Sequence, residues 1–137
     1  MAAGGGLLGY AFGLADDDVG IFDVATRRTV ATRPLDVPVR WLANAQRFWD
    51  GRHIWTYTFQ ATADPGRSGP VEVVAIDPRE VRVVRTIGTG VAGPAHSLML
   101  TPDLRLAWVN VAGGNELDVV DIAAGEVVAR VPTGQFP

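Results

Sequence analysis

The fold of this chain of 137 residues is decided by the stretch Val119-Val-Asp-Ile-Ala-Ala-Gly-Glu-Val-Val-Ala129. An apolar run ends at Asp121, a short turn containing Gly125 follows, and a second Val-rich run begins at Glu126. Two strand-like runs separated by such a turn indicate a β-hairpin. An aspartate suits the start of the turn because its carboxylate accepts hydrogen bonds from nearby backbone N–H groups.

This hairpin occurs three times in the chain. The copies begin at Asp23, Asp77 and Asp121, and they align without a gap to residues 36, 90 and 134. Each aspartate is preceded by an aromatic residue on a strand-like run; these residues are Tyr10, Trp55 and Trp108. The middle copy has extra residues in the segment 60–69, whose Gly, Pro and Ser content is typical of a surface loop.

Two further segments, 38–50 and 93–103, lie between the hairpins. Each ends in a corner, Asp50-Gly-Arg52 or Asp103-Leu-Arg105, that leads into an aromatic strand. A full repeat therefore has four short strands over roughly 44 to 54 residues. Four strands at such a period are typical of a β-propeller blade.

The sequence therefore predicts an all-β fold of β-propeller blades with four antiparallel strands each, about 2.75 blades in all. Blade one takes residues 7–36 and lacks its innermost strand A, blade two takes 37–90, blade three takes 91–134, and 135–137 begin the next strand A. The predicted strands are 7–13, 19–24 and 28–34 in blade one, 38–45, 53–59, 71–77 and 81–87 in blade two, and 95–101, 105–111, 117–122 and 126–132 in blade three.

Composition and charge narrow the classes of function. Hydrophobic residues make up 47% of the chain and charged residues 20%, which is typical of a globular protein. A net charge of −3 argues against binding to nucleic acid or to an anionic membrane surface. The absence of cysteine excludes disulfides and thiolate metal sites. No apolar run is long enough to span a membrane, and the first residues lack the features of a signal peptide.

Blade three carries a resemblance to a known family. The residues concerned are Gly93-Pro-Ala-His96, Leu100-Thr-Pro-Asp103, Leu106-Ala-Trp-Val-Asn110, Gly114-Asn115, the opening stretch 119–129 and Pro132-Thr-Gly134. They resemble the YVTN family of bacterial and archaeal β-propeller repeats, and the resemblance covers nearly the whole chain after residue 7. Blade one departs from the pattern at Arg27 and Arg28, where a Gly and a Lys are usual. The resemblance implies a periplasmic or extracellular protein and a ring of about seven blades.

The predicted topology gathers several loops on one face of the propeller. With the four strands of a blade labelled A to D from the innermost outward, the D-to-A and B-to-C connections share that face. It includes Asp16-Asp17-Asp18, the loop 60–69 and residues 113–116. Recesses on such a face are the usual place for a ligand. The acidic run either binds Ca²⁺ through its carboxylates or forms a solvated turn.

His96, Arg40 and Trp41 are the candidate cofactor-binding residues. The resemblance implies that His96, at the start of a strand A, points toward the central channel; it then either ligates a haem or metal or hydrogen-bonds a neighbouring blade. Arg40 occupies the equivalent position in blade two, and Trp41 beside it lies in a segment without a repeat counterpart. No catalytic residue and no metal site are predicted. The recurrent aspartates are interpreted as turn formers, and the strand B aromatics as packing between blades.

These observations predict a non-catalytic repeat module for protein or ligand binding, without a cofactor. One alternative is the propeller portion of an extracytoplasmic redox enzyme, similar to amine dehydrogenases or haem nitrite reductases, with a haem or quinone. A third is a propeller hydrolase or lactonase that uses a divalent cation. Since open end blades expose apolar faces and strand edges, we expect a longer protein, further copies or a partner chain to complete the ring. Nucleic acid is not an expected partner.

Overall fold

The structure is a computed structural model that describes residues 7–12, 18–36, 48–58 and 69–135. These residues form three antiparallel sheets and no helix. The strands are β1 (Leu8–Phe12), β2 (Asp18–Asp23), β3 (Arg28–Pro34), β4 (Phe48–Trp49), β5 (Ile54–Thr58), β6 (Pro70–Asp77), β7 (Arg82–Ala92), β8 (Ala95–Leu100), β9 (Leu106–Val111), β10 (Glu116–Asp121) and β11 (Glu126–Pro132).

The order of strands within each sheet follows the chain. The sheets are β1-β2-β3, β4-β5-β6-β7 and β8-β9-β10-β11, and we call them blades one, two and three. Every neighbouring pair is antiparallel, as hairpin and corner connections require. The predicted all-β fold of antiparallel propeller blades is therefore confirmed.

The predicted strands of blades one and three agree with the observed strands to within one residue at each end. Blade two differs, because β7 continues to Ala92 where the sequence predicts an end at residue 87. Pro70 pairs with Ala92 through a bulge, so the glycines at 88 and 90 lie within the ladder and do not end it. The predicted strand 38–45 lies outside the described residues, and β4 holds the edge position beside β5.

The sheets pack face to face through two clusters of apolar side chains. Alternate residues of each strand point to opposite faces, and we call the face toward the preceding blade the front and the other the rear. The cluster between blades one and two contains Tyr10, Phe12, Val19, Ile21, Ile54, Val74, Ile76 and Val81. The cluster between blades two and three contains Trp55, Tyr57, Val71, Val73, Ala75, Ile87, Leu98, Ala107, Val109, Val111, Val120 and Ile122.

The three outer hairpin turns share one geometry. Asp23 Oδ1 accepts a hydrogen bond from Thr26 N at 2.7 Å, Asp77 Oδ1 from Arg79 N at 2.8 Å, and Asp121 Oδ1 from Ala124 N at 2.9 Å. These bonds lower the pKa of the Asp23 and Asp77 carboxyls. The fifth residue of each turn has positive φ, with values of 57° at Arg27, 54° at Val81 and 75° at Gly125. The recurrent aspartates therefore stabilise turns, in agreement with their interpretation from the sequence.

Replacement of Arg27 by glycine is expected to stabilise the protein by about 0.5–1 kcal/mol, because the left-handed conformation is strained for residues with a Cβ. The measurement is the free energy of unfolding from urea titration. Gly125→Ala changes the same turn position in blade three and serves as the reciprocal variant, with a loss of similar size. A destabilised Arg27→Gly protein would contradict the assignment of strain to this turn.

Candidate functional site

The loop rim of blade three is formed by two connections that touch. Residues 93–94 join β7 to β8, and residues 112–115 join β9 to β10. Ala112 N donates to Pro94 O at 2.9 Å. A Cβ built on Gly93 would stand only 2.6 Å from Gly113 Cα, so the two backbones meet where neither residue has a side chain. This places the D-to-A and B-to-C connections at the same edge, as the topology predicts.

The guanidinium of Arg130 links blades two and three beside the loop rim. Arg130 lies in β11 directly opposite Asp118 of β10, and its Nη1 is 3.1 Å from Asp118 Oδ2 and 2.7 Å from Glu116 Oε1. Its Nη2 donates to Thr89 O in β7 at 2.5 Å. Charge-assisted bonds of this kind are stronger than neutral ones, so the cluster stabilises the contact between the two sheets next to the rim.

Asp118 is fully buried, and this dominates its titration. Burial raises the pKa of Asp118 to about 6; Arg130 acts against this effect, and the carboxylate of Glu116 adds to it. Arg130 is itself 40% exposed, so water weakens its attraction for the carboxylate. A carboxyl with such a pKa gains a proton in mildly acidic solution, where ordinary surface carboxylates remain ionised.

The stability of the protein should therefore rise as the pH falls from 7 to 5. The folded-state pKa of Asp118 lies above the ordinary value of 3.8, so the folded state holds the proton more tightly and is favoured once the pH drops below about 6. The expected gain in unfolding free energy is about 1 kcal/mol between these pH values. Chemical unfolding at both pH values measures it. The Asp118→Asn variant should lose this pH dependence, and an unchanged dependence in that variant would assign it to another group.

The structure places only one of the three predicted cofactor-binding residues. His96 is the second residue of β8, next to the loop rim, and its side chain is exposed. Arg40 and Trp41 lie outside the described residues, as do Asp16, Asp17 and most of the predicted loop 60–69. His53 immediately precedes β5, in the corner that begins at Asp50, and its Nδ1 lies 3.4 Å from Asp50 Oδ2.

Asp50 has a role that the sequence did not reveal. Its Oδ1 accepts from Arg52 N at 2.7 Å and His53 N at 2.6 Å, and its Oδ2 accepts from Trp55 Nε1 at 2.6 Å. Burial opposes ionisation of Asp50, but these N–H donors outweigh it and lower its pKa. The recurrence of the Asp50 corner at Asp103 was a signal for it, since Asp103 Oδ1 accepts from Arg105 N at 3.1 Å.

The strand B aromatics lie in different environments. Trp55 is 5% exposed in the cluster between blades two and three, and Tyr10 packs against the cluster between blades one and two. Trp108 occupies the same strand position but is 44% exposed on the rear of blade three. Packing between blades is therefore observed for Tyr10 and Trp55, whereas the expectation for Trp108 is not met within the described residues.

Within residues 7–12, 18–36, 48–58 and 69–135, no three His, Cys, Asp or Glu side chains are grouped so that they could hold a metal ion. In those same ranges, no helix is long and apolar enough to cross a membrane.

Comparison with known proteins supports the fold. No protein-family model and no curated protein matches the chain, so the resemblance to the YVTN repeats stays a prediction. Among solved structures, the chain is similar to Kuenenia stuttgartiensis hydrazine synthase, at 21% identity and a TM-score of 0.61 over 90% of this chain and 33% of that one. It is also similar to the dihydro-heme d1 dehydrogenase NirN in complex with DHE, at 19% identity and a TM-score of 0.52 over 93% of this chain and 28% of that one.

Both solved structures contain β-propellers, and at such identities the similarity shows the fold alone. The chain spans about a third of the length of these proteins.

Proposed function

We propose that the chain is a non-catalytic β-propeller repeat module that contributes blades to a larger ring and binds a protein or ligand at its loop rim. The observation that carries this proposal is that the recurrent aspartate carboxylates are engaged in hydrogen bonds within their own turns. Asp23, Asp50, Asp77, Asp103 and Asp121 each accept hydrogen bonds from the N–H groups of their own turn. The repeated acidic side chains thus stabilise the scaffold, and recognition is left to residues that do not repeat.

The loop rim offers such residues. Asn115 is exposed there with a φ of 50°, Glu116 holds Arg130, and His96 begins the adjacent strand. Loops carried on a rigid scaffold are a common setting for binding residues. We further propose a periplasmic or extracellular location, which rests on the resemblance to YVTN repeats, and a ring completed by self-association or by a partner chain.

One observation favours a second candidate function, the propeller portion of an extracytoplasmic redox enzyme. The similar dehydrogenase acts, by its name, on a dihydro-heme d1, and its structure holds DHE. In this alternative a haem or quinone would bind near the channel end of the rim, and His96 would supply an imidazole ligand. His96 fits that role in being exposed beside the rim.

The absorption spectrum of the purified native protein separates the two candidates. The proposed binding module shows only the absorption of its aromatic side chains, and electron microscopy shows a disc with a central channel. A Soret band would overturn the proposal in favour of the redox alternative, and its loss in a His96→Ala variant would then identify the ligand. The His53→Ala variant is the matched control, because it removes the other histidine of the chain and should leave the band unchanged.

A further inference from the structure

Blade three carries an exposed apolar surface on its rear. This rear face consists of Met99, Trp108, Leu117, Val119 and Val131, which strand pairing places next to one another. Met99 is 59% exposed and Trp108 44%. A cavity of about 220 Å³ opens beside the indole and is lined by Met99, Leu100, Thr101, Pro102 and Trp108. Contiguous apolar surface of this kind marks a site of contact with another body.

The equivalent positions of blade two show what covers such a face. Trp55 is equivalent to Trp108 and is 5% exposed. Ile87 is equivalent to Val131; Ile87 is 2% exposed, whereas Val131 is 47% exposed. Both residues of blade two are buried because the front of blade three packs on them. The rear face of blade three is therefore equivalent to the rear face of blade two, which forms one half of the contact between blades two and three.

Blade one presents the other half. Its front face consists of Gly9, Ala11, Phe22 and Val24, and the equivalent residues of blade three, Ala107, Val109, Val120 and Ile122, are buried against blade two. Val24 is 40% exposed. The ring of Phe22 lies over Gly9, where an added Cβ would overlap it. This face therefore combines an apolar ring with an exposed Ala11. Neither of the two apolar clusters of the described residues includes a residue of this face.

A front face and a rear face on one molecule make a head-to-tail contact, which closes into a ring when the rotation permits. The described residues of each copy form three sheets, so those of two copies form six. Six lies within the range of four to eight blades that propellers have. We propose that the rear face of blade three binds the front face of blade one of a second copy, so that two copies close one ring. This inference rests on the proposed function and names the partner that completes the ring.

Sedimentation velocity of the full chain over a concentration series tests the proposal. The expected result is a reversible dimer. Trp108→Glu on the rear face and Ala11→Glu on the front face should each weaken the dimer by at least about 30-fold, because each places a charge in an apolar contact. Val30→Glu is the matched control, since Val30 is 58% exposed in β3 outside both faces and its substitution should leave the dimer unchanged.

Mixing the variants tests the head-to-tail arrangement. The Trp108→Glu and Ala11→Glu chains together should recover part of the association, because one contact in each mixed pair joins two unaltered faces. A chain that stays monomeric at every concentration overturns the proposal, and so does an Ala11→Glu chain that dimerises normally through two rear faces. A native protein whose own further blades cover Trp108 also overturns it but leaves the proposed function standing, whereas a Soret band overturns the proposed function whatever the oligomeric state.

Discussion

Substitution of Gly93 by alanine should destabilise the protein by about 3 kcal/mol or more. Gly93 has a φ of 129°, a conformation that residues with a Cβ rarely adopt. The added methyl group would also stand 2.6 Å from Gly113 Cα, well inside van der Waals contact. Because the obstacle is backbone held by the bond from Ala112 N to Pro94 O, it cannot move aside without opening the loop rim.

The matched control is Gly88→Ala in β7. No atom lies within 4 Å of a Cβ added at Gly88, so this variant should unfold like the wild type or become slightly more stable. Gly113→Ala disrupts the same contact from the other side, because its Cβ would overlap Ala92 O. We expect this variant to be destabilised as Gly93→Ala is. Equal unfolding free energies for Gly93→Ala and Gly88→Ala, measured by urea titration, would show that the rim relaxes freely.

The spacing of residues was sufficient to predict most of the fold. The hairpins that start at Asp23, Asp77 and Asp121 were predicted because alternating apolar runs and turn residues act locally. The length of β7 was underestimated, since Gly88 and Gly90 are read as strand breakers unless the pairing of Ala92 with Pro70 is known. That pairing is a contact between residues distant in sequence, and local propensity does not carry it.

The cluster at the rim was not predicted, also for a physical reason. Asp118 and Arg130 occupy positions that hold Val74 and Thr86 in blade two, so the repeat does not predict an ion pair with a buried carboxylate there. Their pairing follows from strand register, and the bond from Arg130 to Thr89 O follows from the packing of two sheets. Of the candidates, His96 lies at the start of β8 beside the rim, but its role as a cofactor ligand stays a prediction, as do the roles of Arg40 and Trp41.

Even where two blades carry the same residue at equivalent positions, its burial depends on what packs against it. Trp55 and Trp108 illustrate this, because the same residue in the same strand position is buried in blade two and exposed in blade three. The stability of each blade therefore depends on its neighbours, as in other repeat proteins. Removing each indole in turn measures how much the packing of a neighbouring blade contributes at this position.

Trp55→Ala should destabilise the protein by about 3–5 kcal/mol, because it leaves a cavity between two sheets and removes the N–H that bonds Asp50. Trp108→Ala should cost about 1 kcal/mol or less when measured at a concentration at which the chain is monomeric. Trp55→Phe keeps most of the apolar contact but loses the bond to Asp50 Oδ2, so an intermediate loss of about 1–2 kcal/mol is expected.

Thermal and urea unfolding of the three variants give these free energies. Similar losses for Trp55→Ala and Trp108→Ala in the monomer would mean that the rear of blade three is already covered by residues of the same chain. If the loss of unfolding free energy in Trp108→Ala grows with protein concentration, a second copy covers this surface in the wild type. Binding of that copy stabilises the folded state by mass action. The concentration dependence of this one variant therefore links the stability of the end blade to the partner that covers it.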